Sequence, residues 1–419
     1  MTTLSFPLTR RRTLSSKAAF ALLSSAVLTL LASSSAPTPL YATYQARWGF
    51  ADVTITVLVG VYAVAVLASL LVFGSLSDHV GRRPVLITAL AAQALVMLLF
   101  AFAGDLDVLL VARVLQGLAT GAAIGAVAAG LVDLHPGRGA IANAASGLAG
   151  TASGALGAAL LVELLPAPTK LIYLLLALVF AAEAVGVLSA EETSPRKPGA
   201  IAALKPVFAI PPRARGALLI AAPSLVAVWA LAGFYSSLGP SVAAVIAGSN
   251  SALLGGVALF TLAGSGSLTV LAFHRVEPRR FALTGNGLVM LGTATVLGAI
   301  SLHSLPVFFV GTAISGSGFG AGFQGGLRTI VPLVEAHERA GILSVAYLIC
   351  YLAMGLPAIL AGFLVVHSTL VRTTQEFGVA VIALAATTAA GLMLAARRDS
   401  RLAEVASRST RTATIRQAA

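Results

Sequence analysis

The sequence predicts an all-α membrane protein of twelve transmembrane helices, arranged as two six-helix pseudo-symmetric halves. Three observations carry that prediction. The first is composition. Of the 419 residues, 58% are hydrophobic and only 10% are charged, whereas a soluble domain carries about 25% charged residues. So few polar groups cannot cover a water-exposed surface, and lipid must be the solvent. The second is segmentation: apolar runs of about 20 residues, each long enough to cross a bilayer, alternate with short breaks bearing Pro, Gly or charge. The third is the placement of the basic residues, which fall almost wholly in alternate breaks.

The runs lie at 18–40, 53–77, 84–103, 107–132, 139–163, 169–189, 214–238, 251–273, 281–301, 305–330, 340–366 and 376–396. With the N-terminus placed in the cytoplasm, all but four of the 27 Lys and Arg residues fall in inside segments; Arg47, Lys170 and Arg372 fall outside and Arg113 falls within a span. Cytoplasmic loops carry such an excess, and a wrong span count would scramble the alternation. The longest internal loop, 190–213, holds Glu191, Glu192, Arg196, Lys197, Lys205 and several prolines, and it divides the spans six and six. The expected organisation is a cytoplasmic tail 1–17, a six-helix half 18–189, a cytoplasmic central loop 190–213, a second half 214–396 and a polar, disordered tail 397–419. The halves rhyme. The first span ends in Pro37, Pro39 and Tyr41, the seventh in Tyr235, Gly239 and Pro240, and the fifth and eleventh are both rich in small residues. Paired six-span halves are the architecture of one large transporter class.

Several other readings are excluded or demoted. A net charge of +12 suggests nucleic acid, but the bases sit in gaps between apolar runs and form no patch interleaved with aromatics. No nucleic-acid partner is expected. Cys350 lies alone in an apolar run, so no disulfide forms within the chain and no Cys/His metal spacing exists. Residues 9–36 resemble an export signal, with Arg10, Arg11 and Arg12 before an apolar run and Ser33, Ser34, Ser35 and Ala36 after it. The many spans that follow favour a cytoplasmic tail and a first span. No phosphate-binding loop of the G-x-x-x-x-G-K-[ST] type appears, which argues against an ATP-driven pump. His303 and His367 fall at outer span ends, and no cluster of nucleophile, base or metal ligands is visible. Neither an enzyme nor a cofactor is expected.

Two stretches carry chemistry. The loop between spans two and three reads Gly74-Ser75-Leu76-Ser77-Asp78-His79-Val80-Gly81-Arg82-Arg83-Pro84. Gly74 permits close helix approach and Gly81 a tight turn. Pro84 suits a first helical turn. Asp78 can pair with an arginine or accept bonds from a helix N-terminus. Span four reads Arg113-Val114-Leu115-Gln116-Gly117-Leu118-Ala119-Thr120-Gly121. Its polar and small residues share one helical face. Arg113 lies about 9 Å from the outer end of the span. A mid-helix arginine costs roughly 2.5–3.5 kcal/mol on insertion scales, so it should face a cavity or a partner.

These two strings resemble the signatures of the major facilitator superfamily, G-x-L-x-D-x-x-G-R-R/K and R-x-x-Q-G-x-x-x-G, and the resemblance extends through twelve spans and a central loop. It implies the major facilitator fold, with a gating role for Gly74, Asp78, Gly81, Arg82 and Arg83. It also implies a part in proton coupling for Arg113, Gln116 and Gly117, as in efflux-type members. The second-half loop, His274-Arg275-Val276-Glu277-Pro278-Arg279-Arg280, keeps only charge. Many members carry a span-one carboxylate facing the arginine; none is present here. The remaining intramembrane acid is Glu183 in span six, on a face shared with Leu176, Phe180 and Val187. It lies roughly 20 Å below Lys170, too deep for an easy pair with Arg113. It reads equally as a protonatable coupling group or as a packing acid. Asp133 and Glu163 fall at span ends.

Span five, with Gly147, Gly150, Gly154 and Gly157, partly resembles the glycine-rich antiporter signature but lacks its Gly-Pro pair, while span eleven holds Gly355, Pro357 and Gly362. Gly121, Gly150, Gly154 and Gly157 are expected at helix contacts. Tyr41, Asn143, Trp229, Tyr235 and Gln324, with Tyr347 and Tyr351, are candidates for a central cavity. The expected function is secondary active transport of a small solute by alternating access, as proton-coupled efflux of amphipathic compounds by an antiporter-like monomer in the cell inner membrane, both termini cytoplasmic. The alternatives are a metabolite permease for a sugar or organic acid, or a non-transporting membrane sensor.

Overall fold

A computed structural model describes residues 13–206, 208–249, 251–335 and 338–418. Fifteen α-helices are formed among them: α1 (Ser16–Ser35), α2 (Tyr41–Trp48), α3 (Asp52–Phe73), α4 (Ser77–Val80), α5 (Arg82–Ala101), α6 (Leu106–Leu134), α7 (Pro136–Leu164), α8 (Pro168–Leu188), α9 (Pro212–Ser237), α10 (Gly239–Ala247), α11 (Ala252–Phe273), α12 (Pro278–Leu302), α13 (Leu305–Ile330), α14 (Arg339–His367) and α15 (Leu370–Ala418). Twelve spans are long and apolar enough to cross a membrane. They are α1 continued by α2, then α3, α5, α6, α7, α8, α9, α11, α12, α13, α14 and α15. Ten match an expected run to within about four residues at each end; the first runs on to Trp48, past its expected end at residue 40, and the last begins at Leu370, before its expected start at residue 376. Arg10, Arg11 and Arg12 lie outside the described residues.

Local chemistry sets the helix ends. Ser15 accepts from the Ala18 amide at the start of α1, and Asp105 accepts from the Val108 amide at 2.9 Å at the start of α6, each satisfying a first-turn donor. Pro37 and Pro39 stop α1, since proline carries no amide for the ladder. In the other half α9 breaks at Leu238, and Pro240 opens α10. The rhyme between spans one and seven is therefore a real break at matching places. The expected disordered tail beyond residue 397 is instead a continuation of α15 to Ala418. After Gly391 that stretch contains no Gly or Pro and is rich in Ala, Arg and Leu, all good helix formers.

The bundle has two ends. The terminal face carries Leu14, the loop at 74–82, the linker at 189–211 and the turn at 274–277; the opposite face carries the α1–α2 break and the start of α6. Within each half, a glycine ladder brings one helix against the backbone of another. A Cβ on Gly117 would lie 2.7 Å from the Tyr62 carbonyl oxygen, and one on Gly121 would strike that of Val66. The second half repeats this with Gly316 against the Leu262 carbonyl and Gly320 against that of Gly266. Arg113 stands seven residues after Leu106 in α6, and Thr312 stands seven after Leu305 in α13. Thus α6 and α13 pack in the same register against α3 and α11.

Other glycines make similar contacts. Gly150 and Gly154 of α7 lie against the carbonyls of Leu28 and Ala32 in α1. Gly157 meets nothing within 4 Å, so its expected packing role is corrected: it sits on the same helix but on a face without a close neighbour. Gly355 and Gly362 of α14 face Gly60 and Thr56 of α3, so the displaced Gly/Pro set of span eleven lies at a seam between halves. Gly256 of α11 meets Ala155 and Ala159 of α7 at the second seam.

Gly154→Leu should therefore drive a side chain into the α1 backbone, an overpacking cost of typically 1–3 kcal/mol, and should lower the melting temperature of the purified protein. Gly157→Leu should leave it unchanged. Equal melting temperatures for the two variants would contradict this packing.

Candidate functional site

A cavity of about 170 Å³ lies between the halves. The first half contributes Ser34, Ser35, Tyr62, Arg113, Asn143 and Thr151; the second contributes Trp229, Phe319, Phe323, Gln324, Tyr347 and Tyr351, with aliphatic residues filling the rest. Of the candidates from sequence, Asn143, Trp229, Gln324, Tyr347 and Tyr351 line it. Trp229 packs edge-on against Phe323 at 5.6 Å and against Tyr351 at 4.8 Å between ring centroids. Toward the opposite face the halves are joined: Thr38 Oγ1 donates to the Ser236 carbonyl at 3.3 Å, and Ser251 donates to Glu163.

Tyr41 and Tyr235 do not line this cavity. Each instead ties the helix break of its half to the matching residue of α6 or α13. The Tyr41 hydroxyl accepts from Arg113 Nε at 2.9 Å and also from Nη2. The Tyr235 hydroxyl bonds Thr312 Oγ1 at 2.9 Å. Both tyrosines sit next to a Pro-bearing break, so the kink that aims the ring comes from the chain's inability to continue the helix.

Arg113 is 1% exposed. Its Nη1 donates to the Ser34 carbonyl at 3.0 Å and to Gln116 Oε1 at 2.8 Å. Its guanidinium lies 5.3 Å from the Tyr62 ring centre, 5.5 Å from that of Tyr41 and 6.0 Å from that of Phe100. Gln116 Nε2 donates to the Ser33 carbonyl at 2.9 Å. Gln93 of α5 bonds the Gln116 carbonyl and Thr120 Oγ1, at 3.0 and 2.7 Å. Hydrogen bonds to a charged group and cation–π contacts each stabilise by about 1–3 kcal/mol, enough together to offset the insertion cost. Among the described residues no carboxylate pairs with Arg113. Gly117 lets α6 approach α3 closely enough for this network to close.

Glu183 is 5% exposed and lies apart from Arg113 and the cavity. Its Oε1 accepts from Thr29 Oγ1 at 2.9 Å, and its Oε2 has no hydrogen-bond partner among the described residues. Leu176, Phe180 and Val187 are buried on the same face, as expected.

The loop at 74–84 is a second constellation. Gly74 continues helically into α4's turn, and its carbonyl faces Gly125 of α6, where a Cβ would lie at 3.1 Å. Gly81 has φ +102°, a conformation costly for any other residue. Arg82 pairs with Asp78 and with Asp133 at 3.3 Å, and donates to Ser77 Oγ at 2.7 Å. Arg83 Nε donates to the Val187 carbonyl at 3.3 Å and Nη2 to that of Leu188, capping the end of α8. The central linker completes the site. Glu192 accepts from the amides of Arg82 at 2.7 Å and Arg83 at 3.1 Å, so it caps α5 from 110 residues away in sequence. A Cβ on Gly81 would collide with it. The Lys197 amide donates to the His79 carbonyl at 2.8 Å and Ser75 Oγ to that of Ala203 at 2.8 Å.

In the second half the same work is done within one loop. Glu277 accepts from the amides of Arg279 at 2.9 Å and Arg280 at 2.8 Å. Desolvation opposes its ionisation, but the two amides and the neighbouring arginines outweigh it and hold the carboxyl below its ordinary range. Arg279 Nε donates to the Leu392 carbonyl of α15 at 3.2 Å, as Arg83 does to α8. A loop that keeps only charge in its sequence thus keeps both contacts in space. Sequence reading missed Glu192, Tyr62, Ser34 and Gln93. Gln93 had an available signal, an amide in an apolar run facing the expected polar stripe. Glu192 had none.

The sequence model of the Major Facilitator Superfamily matches residues 22–297. The fold is similar to the crystal structure of a bacterial homologue of the human lysosomal transporter Spinster, in an inward-facing and unoccupied conformation, with TM-score 0.66 and 14% identity, over 91% of this chain and 97% of that one. It is also similar to the human organic anion transporter MFSD10, with TM-score 0.67 and 17% identity, over 91% of this chain and all of that one. Twelve spans in two matched halves, a central cavity shared between them and a family match over most of the chain establish that this protein belongs to the Major Facilitator Superfamily.

Proposed function

We propose that the chain exports a small amphipathic solute by alternating access, driven by protons. The observation that carries this reading is the cavity between the halves: it is walled mainly by aromatic and aliphatic side chains, with hydroxyls and two amides for orientation. Such a lining suits an amphipathic solute better than a sugar, which needs many convergent polar partners. Rocking of one half against the other would part the Thr38–Ser236 and Ser251–Glu163 contacts and open the opposite face. The loop at 74–84 is the matching element on the terminal face. Its Asp78–Arg82–Asp133 pairs and the Glu192 cap join α4, α5, α6 and the linker, so they set how that face closes. The basic terminal face is placed in the cytoplasm, with both termini inside and the chain acting as a monomer in the cytoplasmic membrane. Export follows from the resemblance of Arg113, Gln116 and Gly117 to the efflux-type pattern.

Coupling needs a group that exchanges a proton inside the membrane. Among the described residues Glu183 is the one buried carboxylate, and its unpartnered Oε2 leaves a position for a proton. Arg113 fixes the geometry on the cavity side.

Transport in proteoliposomes under an imposed pH gradient tests the scheme, and solute movement indifferent to the gradient would sink proton coupling. Arg113→Ala should abolish gradient-driven transport while the protein still inserts. Glu183→Gln should flatten the dependence of transport rate on pH; a profile matching the parent's would reduce Glu183 to a packing residue.

A further inference from the structure

The geometry points to an amphipathic organic anion as the solute, favoured by the Arg113 charge and accepting from the indole N–H of Trp229. The inference rests on the reading of the central cavity as the solute site and adds the sign of the solute's charge.

Four observations carry it. Arg113 is the only charged side chain among the described residues lining the cavity, and none of those residues is a carboxylate. A cation entering this space would meet a fixed like charge and no counter-charge. Second, the Arg113 guanidinium is held only by neutral acceptors, namely Tyr41, Ser34 and Gln116. Its charge is solvated but not cancelled, and in a site poor in water that charge acts over several ångströms. Third, Trp229 lines the cavity, and its Nε1 is buried without a partner among the described residues. An indole N–H can only donate, and a buried orphan donor is costly unless something fills it. The orphan indole N–H therefore calls for an acceptor on the solute, and the uncancelled Arg113 charge, whose N–H groups are largely taken by Tyr41, Ser34 and Gln116, favours a negative one, while the rings of Tyr62, Phe323 and Tyr351 take its apolar part.

The fourth observation removes the packing explanation for the arginine. Thr312 occupies the same register in the other half and bonds Tyr235 as Arg113 bonds Tyr41. A small neutral residue thus suffices to tie the helix break to α13. The charge in α6 is surplus to that structural task, and it is present in one half only, where it faces the cavity.

Binding of three matched probes to the purified full chain in lipid nanodiscs tests this. The probes are para-tert-butylbenzenesulfonate, the neutral para-tert-butylbenzenesulfonamide and para-tert-butylphenyltrimethylammonium; the two ions keep their charge at all accessible pH. The chain has two tryptophans, so Trp48→Phe leaves Trp229 as the sole reporter, excited at the red edge where the probes do not absorb. The sulfonate should bind at least tenfold tighter than either analogue. Arg113→Lys should keep that preference, and Arg113→Gln should erase it while the sulfonamide still binds. Equal or tighter binding of the ammonium or the sulfonamide would overturn the anion proposal and leave the cavity as the solute site. Failure of all three probes to perturb Trp229 would overturn the cavity reading itself, and the proposal with it. Should Arg113→Gln fail to insert, the probe series on the Trp48→Phe chain decides alone.

Discussion

The structure depends on closing helices to backbone distance in a solvent that cannot hydrate them. In lipid there is little hydrophobic gain from helix association, so contact area and polar complementarity must supply it. Small residues make that contact possible. Gly117 and Gly121 bring α6 onto α3, and Gly316 and Gly320 bring α13 onto α11. The two pairs fall at the same register, so each half is the same mechanical object. The Arg113 network exists because of this approach: with a larger residue at position 117, the guanidinium would be held away from Tyr62 and the α1–α2 break.

On that shared frame the halves differ where function needs them to. The node joining the broken helix to α6 or α13 is Tyr41–Arg113 in one half and Tyr235–Thr312 in the other. Its geometry is conserved between halves while its charge is not. The same contrast appears on the terminal face. The start of α12 is capped by Glu277 from within its own loop, whereas the start of α5 is capped by Glu192 from the linker. One half is self-contained at this end. The other is completed by the segment that connects the two, so any displacement of the linker is felt directly at Gly81 and Arg82.

How much of this was legible in the sequence follows from the range of each interaction. The spans, their order and the α1–α2 break were legible because apolar length, Pro37 and Pro39 act locally. The Arg113–Gln116–Gly117 face was legible because helical periodicity alone puts it together. Asn143, Trp229 and Gln324, polar or amphipathic groups in otherwise apolar spans, line the cavity between the halves. Tyr41 and Tyr235, expected there too, do not line it, since a tyrosine beside a break can point along the helix interface as easily as inward. Glu192 was invisible because its two amide partners lie more than a hundred residues upstream, and nothing in a Pro-rich loop marks one of two adjacent glutamates as a cap. Gly157 shows the reverse error. A glycine spaced like its neighbours is expected at a contact, but nothing lies within 4 Å of where its Cβ would sit.

The separation of Glu183 from Arg113 has a mechanistic consequence. Where an acid and an arginine are paired, protonation of one changes the other through a shared bond. Here Glu183 reaches Thr29 on α1, and Arg113 reaches the Ser34 carbonyl on the same helix. The distance between Thr29 and Ser34 along α1 is five residues, about 7.5 Å. One route from Glu183 to the cavity is a shift or turn of α1, whose contacts with Gly150 and Gly154 of α7 leave it little freedom to deform locally; a second runs from α8 through α5, whose Gln93 bonds the Gln116 carbonyl. The proposed coupling would then act through the positions of whole helices. In the proposed scheme this separation keeps the proton-exchanging carboxyl away from the guanidinium, which stays charged throughout.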